Sequence, residues 1–102
     1  MRGLRDIYSE LFSLGIVRNG RQFGEWMNRG ESYLSSSLSR NRRPSTEALL
    51  ALVSNVSDAI DATNEELVVC TESSEIMEYK EGVEALKKLE SEAWSEIWKR
   101  VG

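Results

Sequence analysis

Apolar side chains recur along this chain at helical spacing, and no stretch alternates with period two over a strand's length. Leu4, Ile7, Tyr8, Leu11 and Leu14 predict an amphipathic helix over residues 4–14, with Gly15 as its stop. Asn19 is a good N-cap for a short second helix over residues 20–27, which carries Phe23, Trp26 and Met27. Asn28-Arg29-Gly30 is turn chemistry, since Asn and Gly both tolerate left-handed backbone angles. A third helix is expected from Glu31 to Ser39, with Leu34 and Leu38 one turn apart. The basic loop Arg40-Asn41-Arg42-Arg43-Pro44 follows, and Ser45 caps a fourth helix whose stripe is Leu49, Leu50, Leu52, Val53, Val56 and Ile60.

Thr63-Asn64-Glu65-Glu66 fits a capping box, so a new helical region is expected from there to the end. The chain therefore divides, on this reading, into residues 1–62 and a C-terminal segment, 63–102. In that segment Ile76, Tyr79, Val83, Leu86, Ala93, Ile97 and Val101 form a seam at spacings of three and four, with Glu90 filling one seam position, and Trp94 and Trp98 lie one turn apart. A helix with one apolar edge must bury it. Two outcomes stay open: packing back on the same chain, or pairing with a second copy through Ile76, Tyr79, Val83, Leu86, Trp94, Ile97 and Trp98. The 1–62 unit has its own apolar set and is expected to stay folded if the tail is removed.

The third helix changes the picture from fold to function. Five of its nine expected residues are serine, a mediocre helix former. Small hydroxyls let a backbone lie deep in a DNA major groove, and they donate or accept there. Charge adds to this. The 102 residues carry a net charge of −4, but residues 1–45 sum to +4 and residues 46–102 to −8. All eight bases of the first part are arginine, whose planar fork pairs with phosphate and with guanine edges.

Other chemistry is scarce. With no histidine and one cysteine, the common zinc constellations cannot be built, and no phosphate loop, nucleophile elbow or paired-carboxylate motif occurs. Neither an enzyme nor a cofactor is expected. Cys70 ends the apolar run Leu67-Val68-Val69 and reads as a small buried hydrophobe in a reducing, cytoplasmic setting. The start lacks a signal-peptide core, and the most apolar stretch, Ala48 to Val56, is too short to span a bilayer.

Residues 4–56 resemble the lambda-repressor and Cro-like (XRE-type) helix-turn-helix family. Arg43-Pro44-Ser45-Thr46-Glu47-Ala48-Leu49-Leu50 looks like the proline-serine, glutamate and paired-leucine opening of that family's fourth helix. Ser32-Tyr33-Leu34-Ser35 looks like the start of its recognition helix, and the eleven positions from Tyr33 to Pro44 match the usual spacing. Phe23-Gly24 then falls on the leucine-alanine pair of the second helix, and Asn28 on the turn glycine. Four features depart from the pattern. Arg29 and Ser37 stand where aliphatic residues are usual, and Leu38 is expected to take over the packing of Ser37. The connection before the second helix is about two residues longer than usual, and Gly20 replaces a frequent glutamine.

The resemblance implies an all-α, four-helix DNA-binding domain followed by a long helical tail. It also implies base contacts from Glu31, Ser32, Ser35, Ser36 and Ser39, and phosphate contacts from Arg21, Arg40, Arg42 and Arg43. The expected function is a sequence-specific transcriptional regulator, a homodimeric repressor on double-stranded DNA. Two alternatives stand beside it: an antitoxin whose C-terminal helix holds a protein partner, and an interaction adaptor that no longer binds DNA.

Overall fold

A computed structural model describes residues 3–102. Helix makes up 77% of it, in five segments, and no strand occurs among the described residues. The helices are α1 (Leu4–Ser13), α2 (Gly20–Trp26), α3 (Tyr33–Ser39), α4 (Thr46–Val69) and α5 (Ser73–Val101).

Local chemistry sets most of these limits. The Asn19 side chain accepts from the Gln22 amide at 2.9 Å, and Ser45 Oγ accepts from the Ala48 amide at 3.1 Å. Each satisfies a donor that a helix start leaves unpaired. The first three helices end alike. Gly15, Asn28 and Asn41 take positive φ angles of 74°, 55° and 51°. In each case the next amide turns back onto the helix: Ile16 onto the Leu11 carbonyl, Arg29 onto Gly24, and Arg42 onto Ser37. These are Schellman closures.

The long pair α4–α5 is an antiparallel hairpin. Arg100 Nη1, near the end of α5, donates to Thr46 Oγ1 at the start of α4, at 3.3 Å. At the other end the Cys70 thiol donates to Glu75 Oε2 at 3.4 Å. A 29-residue helix is about 43 Å long, which accounts for the 46 Å long axis of the molecule. One hydrophobic core runs through all of it. Leu4, Ile7, Leu11, Val17, Phe23 and Met27 meet Leu49, Leu52 and Val56 of α4, and Val83, Leu86, Leu89, Ala93 and Ile97 of α5 complete the cluster. Tyr8 meets Phe23 edge-on at 5.6 Å between ring centroids, and Phe23 stacks on Tyr33 at 6.4 Å.

Several expectations give way here. The boundary expected at residues 62–63 falls inside α4, and the hydrophobic core is continuous across it. Thr63 caps nothing: its hydroxyl donates to the Ala59 carbonyl at 2.7 Å, one turn back in the same helix. The third helix starts at Tyr33, which leaves Glu31 and Ser32 in the preceding turn. The tail seam is consumed within the chain. Val83, Leu86 and Ile97 are buried among residues of their own molecule, so in this conformation they are closed to a second copy. Ile76 and Tyr79 are half-buried, while Trp94 and Trp98 remain exposed. The run Leu67-Val68-Val69-Cys70 lies at the hairpin tip rather than in the core, with Val68 86% exposed.

Candidate nucleic-acid interface

The interface is built on α2, the turn of residues 27–32, and α3. Gly24 sets their approach. A Cβ there would run into the Gly30 carbonyl oxygen and lie 3.1 Å from the Gly30 carbonyl carbon, so the turn folds against α2 at a point where only hydrogen fits. Gly24 also accepts from the Arg29 amide at 2.7 Å, which holds the turn at its narrowest point.

This places α3 with two unlike faces. Tyr33 and Leu34 are half-buried, and Ser37 is 7% exposed. Leu38 does not take over from Ser37 and is 38% exposed. Ser37 stays on the inner side because it lies one turn from Tyr33, on the same face of α3. Burial pushes the Tyr33 phenol above its ordinary pKa, against the lowering effects of the Arg29 charge and the nearby Ser37 hydroxyl.

The opposite face carries Ser32, Ser35, Ser36 and Ser39, all exposed and at spacings of three or four. Ser35 Oγ donates to the Ser32 carbonyl at 3.2 Å and Ser39 Oγ to the Ser36 carbonyl at 3.1 Å. With their protons committed, those two oxygens face outward as acceptors. Glu31 is exposed at the head of this stripe, 3.8 Å from Arg21, which also lies 4.0 Å from Glu25. Pairs this exposed contribute little to stability.

At the foot of the stripe stand Arg40, Arg42 and Arg43, all exposed and, among the described residues, without ion-pair partners. The Schellman closure at Asn41 fixes where the loop leaves α3. Arg42 and Arg43 each border two hollows. One, of about 470 Å³, is shared with Arg5, Glu96 and Arg100; the other, of about 360 Å³, with Arg29, Tyr33 and Ser45.

Arg29 has a role that the spacing of apolar residues did not reveal. Its guanidinium donates to Ser45 Oγ at 2.8 Å and lies 3.5 Å from Glu47 Oε2. It thereby ties the α2–α3 turn to the start of α4 and closes the basic loop between two fixed ends. The acidic first turn of α4 was the available signal, since a cation in the preceding turn has a natural partner there. Asn55 makes a second such tie, donating from Nδ2 to the Trp26 carbonyl at 2.8 Å, where α2 ends.

The structure thus gathers Glu31, Ser32, Ser35, Ser36, Ser39, Arg40, Arg42 and Arg43 along one exposed edge, with Arg21 reaching it through Glu31. Among the described residues no group of carboxylates and thiol is placed to hold a metal ion, and no helix is long and apolar enough to cross a membrane.

The sequence profile of a family of unknown function, DUF6626, matches residues 4–101, and the chain belongs to that family. The match takes in α5 as well as the four helices before it. No curated protein and no solved structure gives a significant match.

Proposed function

We propose that this DUF6626 member is a sequence-specific DNA-binding regulator of transcription, a homodimeric repressor acting in the cytoplasm. In this reading α2 and α3 form a helix-turn-helix and α3 enters the major groove. The observation that carries it is a continuous edge of exposed polar groups. The hydroxyls of Ser35, Ser36 and Ser39 on one side of α3, headed by Ser32 in the turn before it, run into three arginines that, among the described residues, have no ion-pair partner.

The division of labour follows from the chemistry. Ser32, Ser35, Ser36 and Ser39 are short enough for the helix to lie deep in the groove. Their hydroxyl oxygens accept from cytosine N4 or adenine N6, and Glu31 accepts from cytosine N4. Arg40, Arg42 and Arg43 pair with phosphates and set register rather than sequence. Arg21 is partly neutralised by Glu25 and Glu31, and a phosphate within reach would compete for it. Arg29 acts through position, holding the loop's arginines at a fixed distance from α3.

The test is selection of bound duplexes from a randomised pool. A twofold-symmetric sequence should be enriched, with half-sites about one helical turn apart. A pool that returns without enrichment would remove sequence-specific recognition from this reading.

A further inference from the structure

The α4–α5 hairpin leaves one long face uncovered, and that face is unlike the rest of the surface. On α5, Lys80, Lys87, Trp94 and Trp98 share one line, within about 40° of one another at 3.6 residues per turn. On α4, Leu50, Asp61 and Glu65 share the corresponding line, within about 60°. All seven are exposed. Trp94 and Trp98 stack at 6.3 Å between centroids, and Trp98 is 64% and Leu50 44% exposed. Leu50 and Trp94 border the same hollow, of about 410 Å³, so the apolar groups lie together at one end.

Towards the hairpin tip the face becomes charged. The antiparallel course brings the acids of α4 to the same level as the lysines of α5. Yet Asp61, Glu65, Lys80 and Lys87 have no ion-pair partner among the described residues. α4 carries acids and no base at all. Along α4 this face is acidic; along α5 it carries Lys80 and Lys87 with Glu84 and Glu90 among them, and Leu50 and the tryptophans give it an apolar end, where Asp58 and Glu90 border the same hollow.

The geometry points to a second copy of this chain as its occupant, with the twofold axis running along the hairpin between α4 and α5. Rotation about that axis lays α4 of one copy on α5 of the other at the same level. The partner's Leu50 then meets Trp94 and Trp98, and the partner's Asp61 and Glu65 meet Lys87 and Lys80. Each pairing is made twice, as an isologous interface requires. Rotation about the crosswise axis would instead set charges on the tryptophans. Buried tryptophans within a rim of opposed charges are the usual anchors of such an interface.

The lengthwise axis also brings both basic loops to one end of the dimer, because each loop enters α4 at Thr46. Twofold-related half-sites need that arrangement, and to this extent the inference rests on the DNA-binding reading. The acids of α4 repel a phosphate backbone, so this face is not a second nucleic-acid surface.

Sedimentation of the full chain without DNA tests it. The protein should be a dimer at tens of micromolar, and W94A/W98A should be a monomer of unchanged helix content. K87E and D61K should each weaken self-association about tenfold, since the axis applies either change twice. An equimolar mixture of the two variants should restore it, because each reversed charge then faces a reversed charge. A monomeric wild-type protein, a dimer indifferent to W94A/W98A, or a mixture no stronger than its components would overturn the proposal. A monomer that still binds a single half-site duplex would overturn the dimer face and leave DNA binding standing. A dimer that binds no duplex would do the reverse.

Discussion

Gly24 shows how one missing methyl group decides the geometry of the candidate interface. The Gly30 carbonyl occupies the space that any Cβ would need, and the obstacle is backbone, which cannot swing aside. Gly24→Ala should therefore cost about 1–3 kcal/mol, the range for overpacking, and lower the thermal midpoint by several degrees in a circular dichroism melt. An unchanged midpoint would show that the turn yields freely. Asn28 is legible in the sequence as a left-handed turn residue because few side chains tolerate positive φ. Arg29 is legible only through the acidic first turn of α4, because its partners lie 16 and 18 residues away and its spacing resembles that of a solvated turn residue. Ser37 misleads for the reverse reason. A hydroxyl at an inner position suggests a rotated helix, yet Ser37 is buried one turn after Tyr33 and Leu38 is the exposed residue.

At the scale of elements, the starts and stops of the first three helices are legible within one or two residues, because caps and left-handed closures are local chemistry. The break between α4 and α5 is not. Thr63-Asn64-Glu65-Glu66 has the sequence of a capping box, but Thr63 bonds backward and α4 continues for another six residues. The deciding factor is tertiary: α4 is lengthened to match α5, which packs along it. The periodic seam on α5 does have to be buried, and its partner is α4. Removal of α5 should thus uncover Val53, Val56 and Ile60 together. A chain ending at Thr71 should lose its cooperative thermal transition, contrary to the expectation of an autonomous unit ending near residue 62. A sharp transition near that of the full chain would show that α1–α4 suffice.

For the whole molecule, the charge asymmetry read from the sequence becomes a spatial one. Most acids of the second half lie along the hairpin, with Glu47 beside Arg29 and Glu96 bordering the hollow of Arg42 and Arg43, while Arg40, Arg42 and Arg43 gather where α3 passes into α4. A net charge of −4 therefore does not oppose the binding of a polyanion at that end. Only charges within about a Debye length, ~8 Å at physiological salt, act strongly on it. The site residues expected from the sequence come together because most lie in one continuous segment, 31–43. Of the residues expected at a dimer interface, Val83, Leu86 and Ile97 are buried within the chain while Trp94 and Trp98 stay exposed, because periodicity reports that an edge is buried and not what buries it.

The most direct test of the central claim is the salt dependence of duplex binding by wild type and by R42A/R43A. The logarithm of the wild-type binding constant should fall linearly with the logarithm of salt concentration. The variant should bind more weakly on every sequence, with a slope flatter by about one unit for each phosphate that its missing guanidinium groups no longer neutralise. Equal slopes for the two proteins, or no salt-dependent binding by the wild type to any duplex, would contradict the account.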